Sequence, residues 1–427
     1  MFSAPFKSKA IQAFLSRVGW LAGGEMLARI SRLAAAVFLA RHLTPLEFGA
    51  AALAITTFEL VRLFNQNGVG AAVIAAKAED LPGLCRTAHL AGWLTTLILF
   101  LAQSVVAWLV AKQTGRADIG WMIFCLGGVY WFMPMGVVHG WMLHRRQAMK
   151  RMAVVNATQV STDNILTAVF AIMGFGPWAI VLPKLLTAPI WLIGVMWGRP
   201  WRPDRTAAFA SPRTLAGFAL PVLATEMMNA SRLHLDKLII SAVFGLEVLG
   251  IYYFAFNAGL GLSSALTNAY NNAFFPYLCE AARKTGSALE AFDKAMRTAG
   301  LGLCAVLLIQ ALAVPIYVPL IFGEDWAFAV PLVVILCLGG PAKVLADSCG
   351  LLLRASEQPR MESLAIASVT AVTLGALFLG VQMDLQAACL ALTAGATLAA
   401  ITILPVSRNF ARPSSTPRVI TLEEARS

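Results

Sequence analysis

Glu25-Met26-Leu27-Ala28-Arg29-Ile30-Ser31-Arg32 lies inside the first long apolar stretch of the chain, and Glu226-Met227 lies inside the seventh. The two Glu-Met pairs are 201 residues apart, and the same offset carries Asn67 to Asn268 and Gly49 to Gly250. A carboxylate in an apolar span is costly. Two at matching positions predict a chain of two similar halves, each with a polar group at membrane depth.

Outward from these pairs, the 427 residues are 59% hydrophobic and only 13% charged. A soluble domain carries roughly 25% charge. The apolar runs are long enough to cross a bilayer as helix, and the alternation a transmembrane barrel needs is absent. The reading is an all-α integral membrane protein with twelve transmembrane helices, at 17–40, 47–76, 87–111, 119–143, 152–173, 176–197, 212–242, 247–277, 298–322, 326–353, 361–382 and 385–406. Pro221 and Pro341 are expected kink sites.

The 201-residue offset equals six spans and their loops. An even number of spans returns the chain to the same side. The expected architecture is therefore two six-helix lobes, 1–198 and 212–406, related by a pseudo-two-fold along the membrane normal. A linker rich in Pro and Arg, 199–211, joins them, and a polar tail, 407–427, is expected to be disordered. Leu143-His144-Arg145 and Leu353-Arg354-Ala355 echo each other at an offset of 210, so loop lengths differ between halves.

The net charge of +11 raises the question of a nucleic-acid partner, and its distribution argues against one. With the N-terminus inside, the inner segments hold 23 Lys and Arg and the outer segments hold 3, Arg41, Lys112 and Arg116. This bias places both termini in the cytoplasm and adds attraction to anionic lipids. The first apolar stretch is long and interrupted by Glu25, Arg29 and Arg32, unlike a cleaved signal peptide. Seven Cys without a CxxC pair read as small apolar residues.

Thirteen charged groups lie within the spans, seven basic and six acidic. Facing lipid they would cost about 30–45 kcal/mol in total, more than a typical folding stability. They must face one another or water. Residues three or four apart share a helix face. Glu25, Arg29 and Arg32 form one stripe, and Glu59, Arg62 and Gln66 a second. Span 7 carries Glu226, Asn229 and Lys237 on one face, with Arg232 and Asp236 on the next. Asn257, Ser264, Asn268 and Asn271 line span 8, Lys343 and Asp347 are spaced i,i+4, and Asp163 and Lys184 stand alone on spans 5 and 6. One reading is a set of ion pairs that glue the bundle. The sharper reading is a hydrated cavity, because the stripes concentrate on spans 1, 2, 7 and 8. Arg29, Arg32 and Arg62 suit a phosphate, and Gln66, Asn257, Asn268 and Asn271 suit hydroxyl-rich groups. Glu25, Glu59, Asp163, Glu226 and Asp347 are the candidate ion-coupling or cavity carboxylates. Trp20, Trp131 and Trp141 read as interfacial belt residues, with sugar stacking as the alternative. Gly259, Gly261 and Pro221 are candidate hinges.

Phe38-Leu39-Ala40-Arg41-His42-Leu43-Thr44-Pro45-Leu46-Glu47-Phe48-Gly49 resembles the "LAR-x-L-x-P-x-x-(F/Y)-G" turn near the start of bacterial polysaccharide transporters. Asn67-Gly68-Val69-Gly70 followed by Ala72-Val73-Ile74 resembles the end of their second span, and Leu143 to Arg151 resembles the basic loop after their fourth. The chain is similar to the Wzx-type oligosaccharide flippases of the multidrug, oligosaccharidyl-lipid and polysaccharide exporter superfamily. The resemblance implies two lobes that alternate access to a central cavity. It also implies an undecaprenyl-diphosphate-linked oligosaccharide as substrate, contacted through its diphosphate at positions such as Arg29, Arg32 and Arg62. A polysaccharide polymerase and glycosyltransferases are the implied protein partners.

Other classes fit less well. A sugar-transfer enzyme needs large extramembrane loops, and the outer loops are only a few residues long. There is no GxxxxGK[ST] loop, no HExxH and no dense Asp cluster, and the five His are scattered, so no cofactor or metal is expected. A multidrug exporter of the same superfamily favours an acidic cavity, against the locally basic stripe here.

Overall fold

The computed structural model describes residues 27–411, apart from 66–68, 77–78, 147, 199–200, 203–205, 211 and 286. Within them, helix runs through each of the twelve stretches expected to span. Eight helical segments are long and apolar enough to cross a bilayer: 81–114, 117–145, 178–196, 234–261, 289–322, 324–355, 360–380 and 385–410.

Local chemistry explains the element boundaries. Helix α1 (27–42) stops at Leu43-Thr44, and α2 (Pro45–Arg62) starts with a capping box. Glu47 Oε2 accepts from Thr44 N at 2.8 Å, and Pro45 occupies the first turn, where its missing N–H costs nothing. Helices α3 (Val69–Ala75), α4 (Leu81–Thr114), α5 (Ala117–Gly127), α6 (Met133–Arg145), α7 (Met149–Ile172) and α8 (Trp178–Met196) follow. A tighter 3-10 stretch, Gly128–Phe132, links α5 to α6.

The helical stretch α9 (Pro212–Phe256) contains a reversal. Gly245 has φ 82° and ψ −174°. In an unbroken helix Asp236 and Tyr252 would stand about 24 Å apart, yet Tyr252 OH donates to Asp236 Oδ2 at 2.6 Å. The chain therefore folds back at Gly245, and the apolar stretch 234–261 is the end of one span and the start of the next. This is the break expected between spans 7 and 8. The positive φ favours glycine there.

A π-helical turn, Asn257–Gly261, leads into α10 (Leu262–Thr285), then α11 (Leu289–Ala295) and α12 (Leu301–Tyr317). The expected kink at Pro341 is a break: α13 (Val330–Leu338) ends at Gly339, and Pro341 lies in the first turn of α14 (Gly340–Ala355). Backbone at Pro221 stays helical. Helices α15 (Pro359–Gly380) and α16 (Leu385–Phe410) form the last hairpin. Helix α16 runs past Ser407, the expected start of the tail, and Arg408 Nη2 pairs with Asp293 Oδ2 at 2.6 Å.

The chain packs as two compact units, one of residues up to Phe254 with Tyr317–Phe328, the other of Ala255–Ile316 with residues from Ala329 on. In the first, Leu53, Phe58, Leu99, Met122, Ile123 and Tyr130 form a core shared by α2, α4 and α5. In the second, Phe274, Leu278, Phe292, Cys349, Leu352 and Ile403 bind α10, α11, α14 and α16 together.

Two glycines set the closest helix approach in the first unit. A Cβ placed on Gly49 falls onto the carbonyl oxygen of Leu246, and one placed on Gly250 falls onto that of Pro45. The contact is reciprocal: Pro45 and Leu246, like Gly49 and Gly250, are 201 residues apart. The reversals at Thr44 and Gly245 share the offset. Beside this crossing, Trp326 stacks on Phe254 at 4.0 Å and meets the Phe48 ring edge-on at 5.4 Å. Its Nε1 donates to Ala40 O at 2.6 Å. Trp326→Phe keeps a ring and removes the donor, so it should cost about 1 kcal/mol. A thermal unfolding midpoint in detergent checks this; an unchanged midpoint would show that the bond contributes nothing.

Candidate functional site

In the first unit, polar side chains gather where α2 and α9 carry charge into apolar surroundings. Arg62 Nε donates to Glu59 Oε2 at 2.9 Å, the expected stripe on α2. The Arg62 guanidinium lies 6.0 Å from the Phe58 ring, and Phe58 stacks on the fully buried Tyr130 at 5.4 Å. Gln103, also fully buried, receives the Tyr130 hydroxyl at 3.4 Å and donates to Ile123 O at 3.0 Å.

On α9, Asp236 and Lys237 are buried and paired, with Lys237 Nζ 3.1 Å from Asp236 Oδ1. The flexible lysine stem folds back one residue, and the Tyr252 hydroxyl, returned by the Gly245 reversal, completes the carboxylate's shell. His234 lies within electrostatic reach of Lys237, Glu59, Asp236 and Arg62. One cluster thus joins two charge pairs and a histidine. A buried pair is not cheap: desolvation offsets most of its Coulomb energy, and hydrophobic side chains of the same volume would often serve stability better.

Asp163 and Lys184, expected to be alone, meet across α7 and α8 at 3.4 Å. Asp163 Oδ1 is buried and has no hydrogen-bond partner among the described residues. Asn164, one residue on, donates to Ser31 Oγ of α1 at 2.9 Å. Arg29 is half-buried on α1 and Arg32 is exposed.

In the second unit, Lys343 pairs with Asp347 as the i,i+4 spacing predicts, and Asn271 Nδ2 donates to Asp347 Oδ2 at 3.2 Å. Asn257 and Asn268 are exposed. Gln310 is a residue the sequence reading missed. Its Nε2 donates to Gly259 O at 3.0 Å, and its Oε1 accepts from Ser263 Oγ at 2.7 Å. It ties α12 to the π turn that holds the expected hinges Gly259 and Gly261. The available signal was a lone amide in an otherwise apolar helix. Glu25, Gln66 and Asn67, and the side chains of Glu226, Asn229 and Arg232, lie outside the described residues.

Part of the basic surplus has a structural use. Arg145 Nη1 donates to Val73 O and Ile74 O at 3.1 and 2.8 Å, satisfying the end of α3. Arg151 donates to Gly194 O and Val195 O at the end of α8. Cations suit helix C-termini, whose last carbonyls lack partners. Trp131 stands halfway along 117–145, away from a belt position, and Trp141 packs on Gly70.

The family model described as "Polysaccharide biosynthesis protein" matches residues 38–331. Succinoglycan biosynthesis transport protein ExoT of Rhizobium meliloti (strain 1021) is 23% identical over 304 residues, 70% of this chain and 60% of that protein. The chain therefore spans less than two thirds of that relative's length. Among solved structures, an inward-facing multidrug resistance MATE family transporter of the MOP superfamily aligns with TM-score 0.72 at 11% identity, over 90% of this chain and 94% of that one. Lipid II flippase MurJ in an inward closed conformation aligns with TM-score 0.70 at 11% identity, over 90% and 87%. At such identities the likeness is one of fold.

Proposed function

From the premise that the chain belongs to the polysaccharide biosynthesis protein family, we propose that it flips an undecaprenyl-diphosphate-linked oligosaccharide across the bacterial inner membrane by alternating access. It is a transporter in this reading, working beside glycosyltransferases and a polysaccharide polymerase. The positive-inside bias supports cytoplasmic termini.

The observation that carries the proposal is the charge cluster of Glu59, Arg62, His234, Asp236 and Lys237 inside apolar helices. Such groups earn their place when a polar solute passes. Arg62 gives Nε and Nη2 to Glu59 and keeps 35% of its side chain exposed, which leaves guanidinium surface for a phosphate. Arg29 and Arg32 on α1 are the other proposed diphosphate contacts. Gln66, Asn257, Asn268 and Asn271 are the proposed sugar contacts. Glu25, Asp163, Glu226 and Asp347 join Glu59 as candidate coupling groups.

Two six-helix lobes, 1–198 and 212–406, linked by 199–211, complete the proposal. The reciprocal Gly49–Gly250 contact supports a pseudo-two-fold, because a two-fold makes residue i meet j and j meet i. The first compact unit reaches Phe254, beyond that lobe boundary, through the same crossing.

The test is replacement of Arg29, Arg32 and Arg62 by Gln, one at a time, in a deletion strain with protein levels matched. Each should lower surface polysaccharide about ten-fold or more, the loss of one charge-assisted hydrogen bond. Full export by all three variants would sink the reading.

A further inference from the structure

A continuous ladder of aromatic rings runs along one side of the first unit. Trp121 meets Phe124 at 5.8 Å, Phe124 meets Phe100 at 5.5 Å, Phe100 meets Trp131 at 5.5 Å, and Trp131 meets Trp93 at 6.5 Å. Trp93 continues to His89 at 6.4 Å, and His89 to Trp201 at 5.6 Å. Along α4 alone, the stretch from His89 to Phe100 covers about 16 Å.

Neither ordinary use of tryptophan in membranes explains this ladder. Interfacial belts hold indoles at span ends, where the N–H meets water. Trp93 lies well inside the 34-residue helix 81–114, and Trp131 sits halfway along 117–145. The Trp93 indole has its N–H satisfied internally, by His89 Nε2 at 3.3 Å. Core packing fails too: Trp131 is 39% exposed and Phe124 38%, while the adjacent Tyr130 is fully buried. Other exposed mid-span positions are aliphatic, such as Leu312, Leu398 and Ile401. Straight acyl chains cover those faces, so a ring-lined stripe needs another occupant.

The charge at the two ends differs. At the His89 end, Arg86 donates to Ala207 O at 2.6 Å with its guanidinium 4.2 Å from the Phe209 ring, and Arg145 donates to carbonyls. Neither is paired with a carboxylate among the described residues. At the Trp121 end, Asp118 neutralises Arg116 at 2.7 Å. Lys112 also lies near the Trp121 end, 5.3 Å over the Trp108 ring. What sets the His89 end apart is two guanidiniums, the groups suited to a phosphate-bearing head. A methyl-branched, unsaturated chain also seats its branches between rings set edge to face, where a straight chain has nothing to fill the notches.

We propose that this ladder is the loading track for the polyprenyl chain of the substrate, with the phosphate-bearing head resting first at the Arg86 end. The inference rests on the reading of a polyprenyl-linked substrate. The test uses the full chain in nanodiscs of phosphatidylethanolamine and phosphatidylglycerol. Two photoreactive probes are compared, a diazirine-tailed polyprenyl phosphate and a diazirine-tailed phosphatidylglycerol. The polyprenyl probe should label peptides spanning 93–100 and 121–131, and unmodified polyprenyl phosphate should compete it away. Trp93→Leu with Trp131→Leu should lower that label about ten-fold with phosphatidylglycerol labelling unchanged. The conservative Trp131→Phe, in which an exposed ring replaces an exposed ring, should retain it. Competed label confined to other helices overturns the track and leaves the substrate reading standing. No competed label anywhere overturns both.

Discussion

Gly49→Ala and Gly250→Ala should each destabilise the protein by about 3 kcal/mol, and by similar amounts. The new methyl group falls on a backbone carbonyl in both cases, Leu246 O for Gly49 and Pro45 O for Gly250. Backbone cannot swing aside as a side chain does, so the helices must separate. Separation also loosens Phe48, Phe254 and Trp326, which pack beside the crossing. Gly302→Ala and Gly375→Ala are the controls. Nothing lies within 4 Å of a Cβ at either, and both are helical. There the change should be neutral or stabilising by up to about 1 kcal/mol, because alanine loses less backbone entropy. Thermal unfolding in detergent reads all four. A Gly49→Ala protein within about 0.5 kcal/mol of wild type would refute the close crossing, and unequal losses would refute its reciprocity.

The second large effect concerns Asp236 and Lys237. Lys237→Met should cost about 3–5 kcal/mol, since it strands a buried carboxylate that retains only the Tyr252 hydroxyl among the partners described here. Asp236→Asn should also destabilise, by removing the carboxylate that faces a buried ammonium. The double change should recover most of the loss, because an uncharged pair pays no ionic desolvation and Tyr252 can still donate to the amide oxygen. Stability and export are then separable. A double variant that folds yet exports little places the charges in the transport cycle. Normal export would make the pair structural glue, and additive losses in the double variant would show that the two residues do not interact.

Much of this molecule follows from local order. The Thr44-Pro45-Leu46-Glu47 capping box, the break at Pro341 and the Lys343–Asp347 pair each depend on residues within a few positions of one another, so their geometry is implicit in a short window. The spans follow for the same reason, since hydropathy is a sum over neighbours. The Gly49–Gly250 relation was visible as a spacing, and its meaning as a contact was not.

Partner choice between helices was the illegible part. Asp163 and Lys184 read as isolated charges, because nothing within their own helices tells how far each is rotated toward the other. Gln310 gave no hint that its partner is a carbonyl of a π turn 51 residues away. Arg151 read as topological charge and ends up closing the last turn of α8. Sequence alone determined an all-helical membrane chain with charges too costly to face lipid. Only the tertiary structure decided which charges meet, which close helix ends and which aromatic rings join into a track. Hydropathy and capping are local sums, whereas an ion pair needs two helices at one depth and one rotation, and packing of the whole unit sets both.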